Sequence, residues 1–265
     1  MRNDRIDSGR AFDWGKTSSD YARYRDIYPE EFYQKILALG LCTEGQTVLD
    51  LGTGTGVLPR NLYRYGAKFT GTDIAPEQIE QAKRLAAEQD MDIAFFAAPA
   101  EAVDFPDHTF DVVTACQCFF YFDHAVLLPK LAKMLKPGGK LAVLYMAWLP
   151  EEDPVAGASE ALVLQYSPQW SGKGETRHPI AIPPIAENWF TVQDSVVFDL
   201  RVPFTRESWN GRMKACRGVG ASLPEEQVRA FEREHRTLLE KIAPEQFEVL
   251  HYAAITVLQV KESEI

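Results

Sequence analysis

The sequence predicts an α/β fold built on a doubly wound, mostly parallel sheet. Three observations carry that reading. The apolar run Val48-Leu49-Asp50-Leu51 breaks into a turn holding Gly52, Gly54 and Gly56. Short apolar runs then alternate with amphipathic stretches from Val48 to Met146. The first two runs carry acids at or near their ends, Asp50 and Asp73. Alternation of this kind implies parallel strands joined by right-handed crossovers. Ligands of such sheets bind outside the carboxyl ends of the strands.

The elements follow in order. Residues 11 to 40 carry Trp14, Tyr21, Tyr24 and Tyr28, then a helix from Pro29 to Leu39 that Gly40 ends as a C-cap. A buried strand is expected from Thr47 to Leu51. The glycine turn lets the backbone bend sharply and a ligand approach closer than a Cβ would permit. A helix opening near Val57 would aim unpaired N–H groups at that ligand and stop at Gly66. The second strand is Lys68 to Asp73. Pro76 suits a first helical turn, and Ile79, Ala82, Leu85 and Ala86 recur at helical spacing in a helix reaching Gln89. Further strands are expected at about Asp92 to Ala97, Phe110 to Ala115 and Lys140 to Tyr145. Pro129 falls inside the helix preceding Lys136, which predicts either a start near Leu128 or a kink.

Beyond Met146 the pattern changes. A short helix to Gln165 precedes a Pro- and Gly-rich stretch, 166 to 188, of the kind that is functional or mobile. Strands follow at Thr191 to Val202 and Phe247 to Val260. Between them lie helices near Arg206 to Arg217 and from Pro224 to Ile242. Ser222 with Glu225 reads as a capping box for the latter.

Charge narrows the ligand. A carboxylate at Asp50 would repel a pyrophosphate resting on the glycine turn. It would favour a cationic guest instead, such as S-adenosylmethionine with its sulfonium and α-ammonium groups. The competing reading is an acid that tethers loop N–H groups. Asp73, at the end of the second strand, can accept both hydroxyls of a ribose, and Ile74 can cover a face of the adenine. Asp73 also suits a helix N-terminus, and the two roles are compatible.

These motifs together resemble the class I S-adenosylmethionine-dependent methyltransferases, over roughly Tyr21 to Met146. The glycine turn with Asp50, Gly52, Thr53, Gly54 and Gly56 resembles the family's first motif, and Asp73 its ribose-binding acid. Ala98-Pro99-Ala100-Glu101 with Phe105-Pro106-Asp107 resembles the third motif. Phe110 to Ala115 is similar to the fourth strand, and Leu135-Lys136-Pro137-Gly138-Gly139-Lys140 to the turn feeding the fifth. The nearest flavour is the small-molecule group, methyltransferase type 11-like, such as the quinone-biosynthesis and trans-aconitate enzymes. The resemblance implies a seven-stranded, Rossmann-like sheet with an antiparallel last strand and a helical lid. It also implies S-adenosyl-L-methionine as cofactor.

The same resemblance assigns further residues. Relatives often have an aspartate where this chain has Pro99, so adenine recognition falls to the Ala100 amide, Glu101 and apolar sandwiching. Tyr21 and Arg25 lie in the segment that relatives fold over the cofactor, where Arg25 can bind the methionyl carboxylate. A solvated helical arginine is the alternative. Gln117 resembles the position lining the methionyl arm. Tyr121 and His124 are the candidates for taking a proton, although His124 directly after Asp123 also suits a helix start. Phe119, Phe120 and Phe122 suit core packing as well as substrate walls.

Bulk properties bound the rest. A chain of 265 residues with 46% hydrophobic content can bury one sizeable core. The division expected is a single domain: a lid (1–40), a cofactor-binding core (41–148), an acceptor cap with the sixth strand (149–222), and a last helix and strand (223–265). A net charge of −10 disfavours nucleic acid. No apolar run reaches the length of a membrane span, and a cytoplasmic location is the default expectation. Cys42, Cys116, Cys118 and Cys216 have no metal or redox spacing, and no metal is expected. The function expected is methyl transfer by in-line displacement to an unidentified small molecule. The alternatives are a nicotinamide-dependent oxidoreductase and an inactive module that keeps the cofactor cradle.

Overall fold

The computed structural model of the chain describes residues 6–261. Its elements in chain order are α1 (Ser18–Tyr24), α2 (Glu30–Ala38), β1 (Thr47–Leu51), α3 (Val57–Leu62), β2 (Lys68–Asp73), α4 (Pro76–Ala87), β3 (Ala94–Ala97), β4 (Phe110–Cys116), α5 (His124–Met134), β5 (Leu135–Trp148), α6 (Pro154–Tyr166), β6 (Phe190–Thr205), α7 (Arg206–Lys214), α8 (Glu225–Ile242) and β7 (Gln246–Val260). The seven strands form one sheet in the order β3-β2-β1-β4-β5-β7-β6. The four pairings from β3 to β5 are parallel, and β7 is antiparallel. The order reverses beside β1, which puts the switch point at the glycine turn.

Internal contacts divide the chain into two compact units. One comprises residues 30–146, 178–198 and 253–265; the other comprises 1–29, 147–177 and 199–252. In the first unit β1 and β4 are buried on both faces. Val48, Leu49, Leu51, Val112, Val113 and Ala115 are all inaccessible to solvent, as a central parallel strand requires. Asp111 anchors the opposite end of β1, accepting from the Thr47 amide at 2.8 Å and from Lys136 at 2.7 Å.

Local departures from expectation have physical reasons. Helix α5 starts at His124, five residues before Pro129, because the Asp123 side chain accepts from the Ala125 and Val126 amides as an N-cap. Helix α8 has no capping box. Its N-cap is Pro224, and the Ser222 hydroxyl is buried without a partner. The box belongs instead to α7, where Thr205 and Ser208 cap each other. β4 ends at Cys116, and Gln117 turns into the left-handed region at φ 67°.

The second unit is pinned by a buried polar knot. Ser159 Oγ of α6 lies 2.9 Å from His235 Nε2 of α8 and accepts from Trp209 Nε1 of α7 at 2.9 Å. His235 Nδ1 lies 2.8 Å from Asn210 Oδ1. The arrangement copies a hydrolytic Ser–His–Asn relay, but Ser159, His235 and Trp209 are fully buried, so no substrate reaches the serine. Its role is to hold three helices in register. Ser159→Ala strands the indole N–H and a ring nitrogen, and we expect a loss of about 2–4 kcal/mol of stability in urea denaturation. A loss under about 0.5 kcal/mol would show that the knot stabilises nothing.

Candidate functional site

The first unit brings Asp50, the glycine turn, Asp73, Ile74, Ala100, Glu101 and Gln117 onto the carboxyl ends of β1, β2, β3 and β4. Gly52, Gly54 and Gly56 all adopt left-handed backbone, with φ of 60°, 56° and 73°. A Cβ on Gly52 would meet Cys118 at 2.7 Å, and one on Gly56 would meet the Phe95 ring at 2.7 Å. Conformation and close approach therefore both demand glycine.

The turn does not offer the free amides of a phosphate cradle. Thr53 N donates to Thr72 O at 2.8 Å, Gly54 N to Asp73 Oδ2 at 2.9 Å, and Gly56 N to Thr53 O at 2.9 Å. They are satisfied internally, and α3 behind them is only six residues long.

Two carboxylates face this turn. Asp50 is 2% exposed and accepts from Thr114 Oγ1 at 2.6 Å. Burial pushes its pKa up to about 6, with hydrogen bonds from Thr114 and Thr53 opposing and the Asp73 charge adding to the rise. Asp73 accepts from the Gly54 and Ala75 amides, each at 2.9 Å. Burial raises its pKa too, against those backbone bonds. Neither acid has an ion-pair partner among the described residues. Buried acids without a cation are held at the expense of stability, and a positively charged guest reverses that.

Around them the polar candidates are partly engaged. Gln117 Nε2 donates to Met146 O at 2.6 Å. Glu101 Oε1 accepts from the Asp123 amide at 2.7 Å, while Lys130 Nζ donates to the Glu101 carbonyl at 2.6 Å. Ala100 is buried at the start of a short 3-10 turn behind Pro99. Ile74 keeps 46% of its surface exposed beside Asp73, an unusual exposure for an isoleucine that a ring could cover.

The proton-transfer candidates sit past β4. His124 Nε2 lies 2.9 Å from Phe119 O and its ring 4.4 Å from the Phe119 ring, so the helix-start role is the one its contacts describe. Tyr121 closes the 3-10 turn of Phe119–Tyr121. Phe119 is core, whereas Phe120 is 40% exposed and meets Tyr145 edge-on at 5.6 Å, with His178 6.3 Å beyond.

Two neighbours escaped the sequence reading. Thr114 positions Asp50, and its signal was its register directly opposite Asp50 on the adjacent strand. Cys118 donates its thiol to Leu51 O at 3.0 Å and fills the space a Gly52 side chain would need. Burial and then the charge of Asp50 hold that thiol protonated, which removes it as a nucleophile.

Tyr21 and Arg25 belong to the other unit. Arg25 Nη2 donates to Tyr21 Oη at 3.1 Å, and its guanidinium lies 4.6 Å over the same ring. The structure pairs them with each other.

Comparison with known proteins gives this geometry its family. Residues 48–139, the span from β1 to the start of β5, match the family described as Methyltransferase domain. That span carries the likeness to a methyltransferase domain. It is 38% identical over 114 residues to a demethylmenaquinone methyltransferase of Thermus thermophilus, covering 42% of this chain and 52% of that one. It is 36% identical over 132 residues to a 2-methyl-6-phytyl-1,4-hydroquinone methyltransferase of Synechocystis, covering 48% and 41%. The chain thus spans about half the length of the curated relatives it matches. Among solved structures, the YcgJ protein of Bacillus subtilis aligns over 89% of this chain and 100% of its own, with TM-score 0.53 and 20% identity. That likeness speaks for the fold. Among the described residues, no helix is long and apolar enough to cross a membrane, and no cluster of acids, histidines and cysteines could hold a metal ion.

Proposed function

We propose that the protein is an S-adenosylmethionine-dependent methyltransferase acting on a small-molecule acceptor. One observation carries the reading: a buried and a half-buried carboxylate, neither with a cation among the described residues, flank a glycine turn whose Thr53, Gly54 and Gly56 amides are already bonded. That donor set suits a ribosylated, positively charged, phosphate-free ligand and disfavours a dinucleotide. When bound, S-adenosylmethionine supplies a methyl group activated by its sulfonium.

The residues of the chain bind and orient. Both oxygens of Asp73 keep a second lone pair for ribose hydroxyls. Ile74 offers apolar cover to the adenine, whose polar edge falls to the Ala100 amide and Glu101. Asp50 faces the cationic end, with Gln117 as a candidate along the methionyl arm. In-line displacement then needs alignment more than acid–base work. Tyr121 and His124 remain the candidates for an acceptor proton, His124 through the ring nitrogen that Phe119 leaves free.

Calorimetric titration tests the placement. Asp73→Ala is expected to weaken S-adenosylmethionine binding by about 2–3 kcal/mol through two lost charge-assisted hydrogen bonds. Asp73→Asn, which keeps an acceptor for the Gly54 amide, should lose less. An unchanged dissociation constant for the alanine variant removes Asp73 from the site. Tighter binding of NAD than of S-adenosylmethionine by the unmodified protein would overturn the reading itself.

A further inference from the structure

The second unit holds a buried guanidinium that no acid among the described residues balances. Arg212 on α7 is 6% exposed, and its Nε and Nη1 are buried without any acceptor among the described residues. Its guanidinium lies 5.0 Å over the Trp148 ring. The charged and titratable groups that act on it are Arg25, Cys216, Tyr21 and Tyr28, and it acts in turn on His251. Arg25 brings a second cation, and its guanidinium donates to the neutral Tyr21 hydroxyl. The His251 Nε2 atom is also buried and unpartnered.

The proximity is built in. Gly211 precedes Arg212, and a Cβ there would stand 2.3 Å from the Tyr24 ring, so glycine lets α1 close onto α7 and carries Tyr21 and Arg25 with it. The same unit shows what a satisfied arginine looks like. Arg217, 13% exposed, donates through Nε to Asp7 Oδ2 at 2.7 Å and through Nη2 to Asp7 Oδ1 at 3.0 Å. Arg212 is buried more deeply and lacks any such carboxylate among the described residues. A cation held this way in a low-dielectric interior is destabilising unless an anion meets it. Burial, then the charge of Arg25, lowers its pKa only to about 9, so it stays protonated at neutral pH.

We propose that Arg212, with Arg25 and Tyr21 beside it, is a receptor for the carboxylate of a small-molecule ligand. The orphaned guanidinium is what calls for the carboxylate. A guanidinium takes a carboxylate through paired, charge-assisted N–H bonds, and the Trp148 face leaves its edges free to do so. Arg212 also lies outside residues 48–139, the span shared with the domain family.

The test uses the full chain and two variants, Arg212→Met and Arg212→Lys, with benzoate and succinate as carboxylate probes. Melting temperature is read first. A structural arginine would make Arg212→Met melt lower, whereas a ligand-awaiting one leaves it melting as high as wild type or higher. Benzoate or succinate should raise the melting temperature of wild type, bind the lysine variant at least about tenfold more weakly, and leave the methionine variant unmoved. S-adenosylmethionine and 5′-methylthioadenosine, which lacks the amino-acid arm, are then titrated into all three proteins. Equal S-adenosylmethionine affinity across them supports a carboxylate site separate from the cofactor's. The proposal is overturned if neither carboxylate shifts wild type, if the shift survives in Arg212→Met, or if that variant loses affinity for S-adenosylmethionine alone. The last result would give the residue to the methionyl carboxylate. Failure of wild type to bind S-adenosylmethionine would strike the methyltransferase reading instead, and the carboxylate arm would still read out separately.

Discussion

Replacing Asp50 by asparagine is expected to make the ligand-free protein more stable at pH 7 and the cofactor complex weaker. The sign follows from the acid's position. Its pKa rises from 3.8 to about 6 in the folded state, so folding favours the protonated form. That contribution is fully present below pH 3.8 and is lost as pH rises through 6. At pH 7 the ionised carboxylate therefore destabilises the fold by about 3 kcal/mol, the equivalent of some two pKa units. Asparagine keeps an oxygen for the Thr114 hydroxyl, 2.6 Å away, and carries no charge. Urea denaturation should show a gain of about 2–3 kcal/mol. Titration with S-adenosylmethionine should show a loss of about 1.5–3 kcal/mol, the range for a charged hydrogen-bond partner. Wild-type affinity should also fall as pH drops below 6, and that fall should vanish in the variant. A variant that is no more stable, or that binds with the wild-type pH profile, would detach Asp50 from the cationic guest. The trade is the usual one at a functional site, where stability is given up for recognition.

How far the sequence reached depended on the range of the forces involved. β1, β2 and the turn between them were legible because glycine, apolar runs and terminal acids act within a few residues. β2 in particular runs from Lys68 to Asp73, as its apolar-bounded pattern predicts. Failures came where a distant group decides. Ser222 and Glu225 have the spacing of a capping box, yet the chain enters α8 through Pro224, and the box forms at Thr205. Of the late start or the kink that Pro129 suggested, the late start fails, because the Asp123 side chain caps the helix at His124. The state of the turn amides was not legible either, because β2 supplies Thr72 O and the Asp73 carboxylate as acceptors for Thr53 N and Gly54 N. The cation of Arg212 was invisible for the same reason, because a residue on an amphipathic helix shows its lack of partners only after other helices have packed around it. Spacing along the chain reports local geometry, and satisfaction of buried polar groups is a property of the folded whole.

Acid should unfold the second unit first, and two buried histidines set the slope. Burial lowers His235 to about 4 and His251 to about 3, the latter with help from the charges of Arg212 and Arg25. A histidine depressed below its ordinary 6.5 stays neutral in the fold and charges on unfolding. Its contribution is fully present above pH 6.5 and is lost as pH falls toward the folded value. Each histidine removes about 1.4 kcal/mol per pH unit, so the pair removes on the order of 7 kcal/mol between pH 6.5 and 4. Asp50 works in the opposite direction and returns about 3 kcal/mol over much of that range. The balance is a net loss of about 4 kcal/mol, a large share of the stability of an ordinary domain. Asp7, held below its usual range by Arg217 against the effect of burial, adds to the loss at still lower pH. Both histidines and Asp7 lie in the second unit, whereas Asp50 lies in the first. Hydrogen exchange at pH 4.5 should therefore show α6 and α8 losing protection before β1 and β4. His235→Gln should reduce the pH slope of urea stability to about half between pH 6.5 and 4, and Asp50→Asn should steepen it. Stability that stays level from pH 6.5 to 4.5, or a His235→Gln slope matching wild type, would show that these histidines take up protons in the folded chain.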